Sequence, residues 1–264
     1  METRNRIWVG LGVVVAASTA FYVGTSGQSG MAGMDHSTMA AQEGGEGGEG
    51  AATAEAIADD AVYLGQLAFI RGHLNVGVDL YRQGAEEASA THMKHPGDEL
   101  YTALLPAIEA REASGFADQL EALAVAVESK RPMAEVEEAY NALLEAITAA
   151  ENAVEEQDAA MIGAVILDLV RTSAAEYDIA VGENGVLENE HEYQDALGFV
   201  RIARDLLGRL EGMTDNATAV AAIREQLDLI TPIWPSLIAP QRLETDPSVI
   251  YGAAARIEFA NAGL

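Results

Sequence analysis

The chain of 264 residues contains no cysteine. This absence excludes thiolate zinc sites, iron–sulfur clusters, covalently attached c-type haem, disulfides and cysteine nucleophiles. A bound metal ion would therefore need ligands from histidine, carboxylate, tyrosine, methionine or backbone oxygen. Aromatic residues are also scarce, at 6%, and no stretch alternates between apolar and polar residues as a strand does. Both features favour helices over sheets.

Positively charged residues are also scarce. The chain has 15 Lys and Arg against 42 Asp and Glu, which gives a formal net charge of −27. Such a surface repels phosphate backbones, which excludes nucleic acid as a partner. The sequence also lacks a P-loop, a dinucleotide-binding glycine pattern, G-x-S-x-G and H-E-x-x-H. No common enzyme motif is therefore present, and we expect a binding protein rather than an enzyme.

Residues 1–24 are predicted to be a membrane anchor or a signal peptide. Arg4 and Arg6 precede an apolar or small run from Ile7 to Gly24, which is typical of an export signal and is at the lower limit for a spanning helix. We favour an uncleaved anchor, since no clean A-x-A cleavage site follows. The remainder would then lie on the periplasmic side of the bacterial inner membrane. If the segment is cleaved, the protein is soluble in the periplasm.

Residues 25–52 form a predicted disordered linker, because their glycine and glutamate tract cannot bury enough apolar surface to fold. The linker carries Met31, Met34, His36 and Met39. Thioether and imidazole ligands suit a soft ion such as Cu(I), and short tracts of this kind resemble those of exported copper-handling proteins. The alternative is a tether of low complexity in which the methionines are incidental.

From residue 53 onward, apolar residues recur at helical spacing. The pattern predicts an all-α, multi-helix bundle of two packed halves in residues 53–264. In the first helix, Gly72 and Gly77 indicate close packing or a kink. Pro96-Gly97-Asp98 is predicted to end a helix and form a turn, and Pro106 to kink the following helix. The predicted helices are 54–83, 98–113, 117–130, 133–156, 158–181, 188–211, 218–230 and 248–261.

Three of the five histidines lie between Arg71 and Tyr101, a segment that resembles one in uncharacterised exported helical proteins. His92 and His95 are three residues apart and would share one helix face. Together with His73 they are the predicted primary ligands of a metal ion. Alternatively, these side chains cap helix ends and bond to backbone carbonyls.

A second candidate set crowds the start of a later predicted helix and comprises Glu188, His191, Glu192 and Tyr193. Carboxylate, imidazole and phenolate together suit Fe(III), a hard ion, although carboxylates at a helix N-terminus are also explained by the helix dipole. Glu188 and His191 form the single E-x-x-H of the chain. A di-metal carboxylate oxidase needs two such pairs, so this enzyme class is disfavoured.

A spaced set of residues runs through the region from Leu167 to Arg209: Asp168, Glu176-Tyr177, Val181, Gly185, Val186, Glu192-Tyr193, Asp195 and Phe199. At these positions the region resembles a helical segment in the exported part of bacterial high-affinity iron permeases. The chain departs from that pattern in having Glu176 before Tyr177 and one extra residue in the connector. It has neither the permease membrane helices nor an R-E-x-x-E motif, so it is not the transporter itself. The resemblance implies an exported helical module associated with iron handling.

These observations predict a membrane-tethered periplasmic protein that binds a transition metal ion, iron or copper, as an accessory to uptake or homeostasis. Its expected partners are the metal ion, the membrane through the N-terminal helix, and an inner-membrane permease or membrane complex. The alternative is a structural or interaction subunit of a membrane-associated complex that binds no metal.

Overall fold

The computed structural model describes residues 53–264, and within this range the chain is all-α. Isolated β-bridges join Val181 to Leu187 and Val186 to Arg242, and no strand forms in the described range. The predicted fold class is confirmed, whereas the predicted anchor and linker lie outside the described residues. The helices are α1 (Thr53–Ala58), α2 (Asp60–Arg82), α3 (Glu86–His95), α4 (Tyr101–Ala110), α5 (Ala117–Glu128), α6 (Met133–Glu151), α7 (Ala159–Ala180), α8 (Glu190–Leu210), α9 (Ala217–Ile230) and α10 (Ser248–Asn261).

Helix α2 is the centre of the bundle. It packs against α3 and α6 from its own half of the chain and against α7 and α8 from the second half. Most of its residues are buried, as expected for a helix covered on several sides. In the second half, α7 pairs with α8, and α10 lies against both α7 and α9.

The first predicted helix is divided in two at Asp59. The residue has an extended backbone, and its Oδ1 accepts hydrogen bonds from the backbone N–H groups of Ala61 (2.8 Å) and Val62 (3.2 Å). An aspartate that bonds to nearby backbone N–H groups favours an N-cap over a helix interior. The break therefore has a local cause that hydrophobic spacing alone does not reveal.

The predicted turn at Pro96-Gly97-Asp98 is wrong. Residues Pro96–Leu100 form a π-helical segment that joins α3 to α4, and Pro96 itself has helical dihedral angles. Proline has no N–H to donate to an α-helical hydrogen bond. A local change to the π-helical pattern lets the chain remain helical past such a residue. Pro106 lies inside α4, as predicted, and that helix ends at Ala110 rather than at residue 113.

Two other helix ends also differ from the prediction. Helix α6 ends at Glu151, five residues before the predicted end at residue 156. Helix α8 begins at Glu190, because Asn189 caps it with an extended backbone. Across residues 53–264, no helix has both the length and the hydropathy that a membrane span requires.

Candidate metal centre

The first turns of α8 place a carboxylate inside the bundle. The Oδ1 of Asn189 accepts from the N–H of His191 (3.0 Å) and lies 3.5 Å from the N–H of Glu192, which starts the helix. One helical turn after His191, Asp195 lies on the face that packs against α2 and is only 2% exposed. A carboxylate at this depth needs close polar partners to be stable.

Those partners are histidines from three helices. Asp195 Oδ1 lies 2.6 Å from Nδ1 of His73 on α2 and 3.0 Å from Nδ1 of His92 on α3. Its Oδ2 lies 3.1 Å from Nε2 of His191, one turn earlier on α8. We call these four residues the Asp195 cluster. Within the described chain, His73, His92 and Asp195 form a group whose potential ligand atoms all lie within 4.8 Å of one another.

Access to solvent differs among the three imidazoles. The side chains of His73 and His92 are 2% and 0% exposed, whereas that of His191 is 21% exposed. The rings of His92 and His191 are stacked, with centroids 4.1 Å apart and planes inclined by 21°. His191 therefore covers the cluster on its solvent side.

The carboxyl group of Asp195 is ionised within this cluster. Burial alone would raise the pKa of this carboxyl group, but the electrostatic interactions and hydrogen bonds with the adjacent His73 and His92 side chains outweigh burial and lower it. When the imidazoles are neutral, the buried carboxylate leaves the cluster with one negative charge, which a bound cation would balance.

Glycines on α2 and α8 bring the two backbones close enough for these contacts. A Cβ atom added to Gly198 would lie 2.5 Å from the carbonyl oxygen of Gly72, and one added to Gly72 would lie 2.6 Å from a ring carbon of Phe199. On the other side of α2, a Cβ on Gly77 would lie 3.1 Å from Cβ of His92. The close packing predicted from Gly72 and Gly77 is confirmed.

The cluster has the donor chemistry of a site for a borderline divalent metal. Two imidazoles and one carboxylate are the ligand set of non-haem Fe(II) sites, and imidazole also suits zinc, copper and nickel. Nitrogen and oxygen ligands bind such ions at about 2.0–2.2 Å, which places neighbouring ligand atoms about 3 Å apart. The separation of 3.0 Å between Asp195 Oδ1 and Nδ1 of His92 equals that spacing, whereas the 2.6 Å to Nδ1 of His73 is a direct hydrogen-bond distance that an ion would lengthen.

The structure joins members of the two predicted ligand sets and separates others. His73 and His92 from the first set meet His191 from the second. The side chain of His95 lies outside the described part of the structure, as do Met31, Met34, His36 and Met39.

The remaining predicted ligands have other surroundings. Glu188 lies before α8 and is exposed, so the E-x-x-H pair does not share a helix face. Glu192 is buried and accepts from Nδ2 of Asn189 (3.2 Å), as in a helix cap. The hydroxyl of Tyr193 donates a hydrogen bond to the backbone carbonyl of Ser236 (2.8 Å), which joins α8 to the segment after α9.

Sequence reasoning missed Asp195 and Gln194 as site residues. The signal was present, because His191 and Asp195 are four residues apart on a predicted helix and therefore share a face. Gln194 and Asp195 are also two of the three polar residues, with Glu192, that α8 buries, and an unpartnered polar side chain would be costly there.

Comparison with known proteins supports the expected resemblance. Residues 152–261 match the model of the iron permease-associated 4-helix bundle domain. The match covers less than half of the chain and contains α7 to α10, so it includes His191 and Asp195 but neither His73 nor His92. Searches of curated proteins and of solved structures found no significant match.

Proposed function

We propose that the protein is a membrane-tethered, exported accessory protein of iron uptake that binds one Fe(II) ion at the Asp195 cluster. The domain match links residues 152–261 to iron permeases and therefore to iron uptake. The role as a metal-binding accessory rests on a separate observation: a fully buried carboxylate lies within hydrogen-bond distance of three imidazoles from three helices.

The choice of Fe(II) follows from the ligand types and from the domain match. Cu(I) prefers thiolate and thioether ligands, and the Asp195 cluster contains neither. The methionine-rich linker, with Met31, Met34, His36 and Met39, is the candidate contact for Cu(I). Cu(II) and Zn(II) bind nitrogen sites more tightly than Fe(II) in general, so selectivity for iron depends on which metal reaches the protein.

The role of the cluster is to hold and pass on an ion rather than to catalyse a reaction. A di-metal carboxylate oxidase would require bridging glutamates on facing helices, and the cluster has one carboxylate. The hydrophobic N-terminal run supports a tether that places residues 53–264 beside an inner-membrane permease on the periplasmic side. His191, whose side chain is 21% exposed, then lies where an ion would reach or leave the cluster.

The test is metal content of the full chain, purified in mild detergent and stripped of metal. The protein is loaded with Fe(II) without oxygen, desalted and measured by mass spectrometry. We expect a single tightly held iron in the wild type, and its loss in Asp195→Asn with helicity retained by circular dichroism. As a control, replacing Met31, Met34, His36 and Met39 together by alanine should leave this iron in place.

Two results would reject the proposal. Wild-type protein that retains no Fe(II) would have a structural hydrogen-bond network instead of a metal centre, and the interaction-subunit alternative would then be preferred. Iron retained equally by Asp195→Asn would place the ion elsewhere in the chain.

A further inference from the structure

Gln194 lies beside Asp195 on α8 and contacts the opposite side of the His92 ring. Its Oε1 lies 2.8 Å from Nε2 of His92, and both side chains are buried, with Gln194 1% and His92 0% exposed. Two consecutive residues of one helix therefore contact the two nitrogens of one imidazole: Gln194 contacts Nε2, and Asp195 contacts Nδ1.

The direction of the Gln194 amide is set by a third group. Its Nε2 donates to the backbone carbonyl of Leu237 at 3.4 Å, and a carbonyl can only accept. The amide oxygen must then face His92, and an amide oxygen also only accepts. Nε2 of His92 therefore carries a proton in both the neutral and the charged forms of the ring.

This leaves Nδ1 as the nitrogen of His92 that can offer a lone pair, and Nδ1 lies 3.0 Å from Asp195 Oδ1. We infer that Gln194 is a positioning residue that holds His92 in its Nε2–H tautomer and so makes Nδ1 a metal ligand. The inference rests on the proposed function. Partners that fix a histidine tautomer in this way commonly strengthen metal binding.

The contact also connects the metal centre to the segment after α9. Leu237 is buried, and the neighbouring residues are held by α8 as well, since Tyr193 donates to Ser236 O (2.8 Å) and Glu190 Oε1 accepts from Ala239 N–H (3.1 Å). Gln194 is the member of this series that reaches both the segment and a candidate ligand. Its amide therefore has a fixed direction even in the metal-free protein.

The first experiment uses the metal-free full chain with ¹⁵N-labelled histidine, and long-range ¹H–¹⁵N spectra identify the tautomer of neutral His92. We expect Nε2–H in the wild type and in Gln194→Glu, because a carboxylate accepts the same hydrogen bond. In Gln194→Leu the ring should change to Nδ1–H and donate to Asp195. Gln226→Leu, which removes a buried glutamine of α9, is the matched control and should leave His92 unchanged.

The second experiment measures Fe(II) affinity of the same proteins by competition with a chelator. Gln194→Leu should bind Fe(II) about 10- to 100-fold more weakly than the wild type, which is the usual effect of losing the hydrogen-bond partner of a metal ligand. The affinity of Gln194→Glu should stay near that of the wild type. An unchanged His92 tautomer in Gln194→Leu, or unchanged affinity, overturns the inference. Failure of the wild type to bind Fe(II) rejects the proposed function instead, while the tautomer spectra still show whether Gln194 controls His92.

Discussion

At the scale of residues, the Asp195 cluster depends on Asp195, which lies within hydrogen-bond distance of all three imidazoles. His73 and His92 contact the same oxygen of Asp195, whereas His191 contacts the other oxygen and is partly exposed. The four side chains therefore differ in role: three form a buried group, and the fourth closes it toward solvent.

Substitution of His191 should accordingly weaken metal binding without abolishing it. In His191→Gln the ion would keep His73, His92 and Asp195 as ligands. We expect about a tenfold loss of Fe(II) affinity, near the lower end of the range for residues that contact a metal ligand. The ion should also be released faster, because the solvent side of the cluster is open. Stopped-flow transfer of iron to a chelator would measure the release.

The control for this prediction is Glu188→Gln, which changes an exposed neighbour outside α8 and should leave the release rate unaltered. Complete loss of iron in His191→Gln would contradict the view that the three buried residues suffice to hold the ion.

At the scale of elements, the Asp195 cluster forms because α2 and α8 approach closely at Gly72 and Gly198. The carbonyl of Gly72 occupies the space that a side chain at position 198 would need. Asp195 and His73 are each close in sequence to this contact, so the separation of the two helices sets the distance between the two side chains.

Gly198→Ala should therefore both destabilise the fold and lower the affinity of the Asp195 cluster for Fe(II). Overpacking of this kind costs about 1–3 kcal/mol, and moving α2 from α8 would lengthen the contact between His73 and Asp195. Urea unfolding and Fe(II) binding would measure the two effects.

The same substitution elsewhere on α8 supplies the matched control. A Cβ at Gly208 meets no atom within 4 Å, so Gly208→Ala should stabilise the protein by about 0.5–1 kcal/mol through helix propensity. Equal effects of the two substitutions would show that close helix contact is not the reason for Gly198.

The helices were predictable from the sequence to a greater extent than the contacts between them. Hydrophobic spacing correctly predicted an all-α bundle, since long amphipathic runs are strong local signals. The turn at Pro96 was predicted wrongly because the helix-breaking rule assumes the α-helical hydrogen-bond pattern, whereas Pro96 begins a π-helical segment here. The two predicted ligand sets contained three of the four cluster residues. Their meeting could not be predicted, because His73 and Asp195 are separated by 122 positions and only the packing of α2 on α8 joins them.

At the scale of the whole molecule, the cluster is shared between the half that matches the iron permease-associated domain and the half that does not. His191 and Asp195 come from the matched residues, and His73 and His92 from helices before them. The matched segment alone therefore lacks two of the four side chains.

Buried tyrosines link separate segments of the bundle, and their ionisation should lower its stability at alkaline pH. Tyr63, Tyr177 and Tyr193 each donate to a backbone carbonyl of a distant segment, and burial raises the pKa of each to about 12 from an ordinary value of 10.0. A raised folded-state pKa means that their contribution is complete below pH 10 and is lost as the pH rises toward about 12.

We therefore expect the free energy of unfolding to fall by at least about 2 kcal/mol between pH 9 and pH 11.5, since one pKa unit corresponds to about 1.4 kcal/mol. Urea unfolding at the two pH values measures this change. Tyr193→Phe, which lacks one of the phenols, should show a smaller fall. Equal stability of the wild type at both pH values would contradict the role given to these tyrosines.

Iron binding at the Asp195 cluster is tested most directly by an anomalous-difference map at the iron absorption edge from crystals of the Fe(II)-loaded protein. We expect one strong peak bounded by Nδ1 of His73, Nδ1 of His92 and the carboxylate of Asp195, with His191 on its solvent side. A map without a peak there, or with iron bound only at exposed carboxylates, would contradict it.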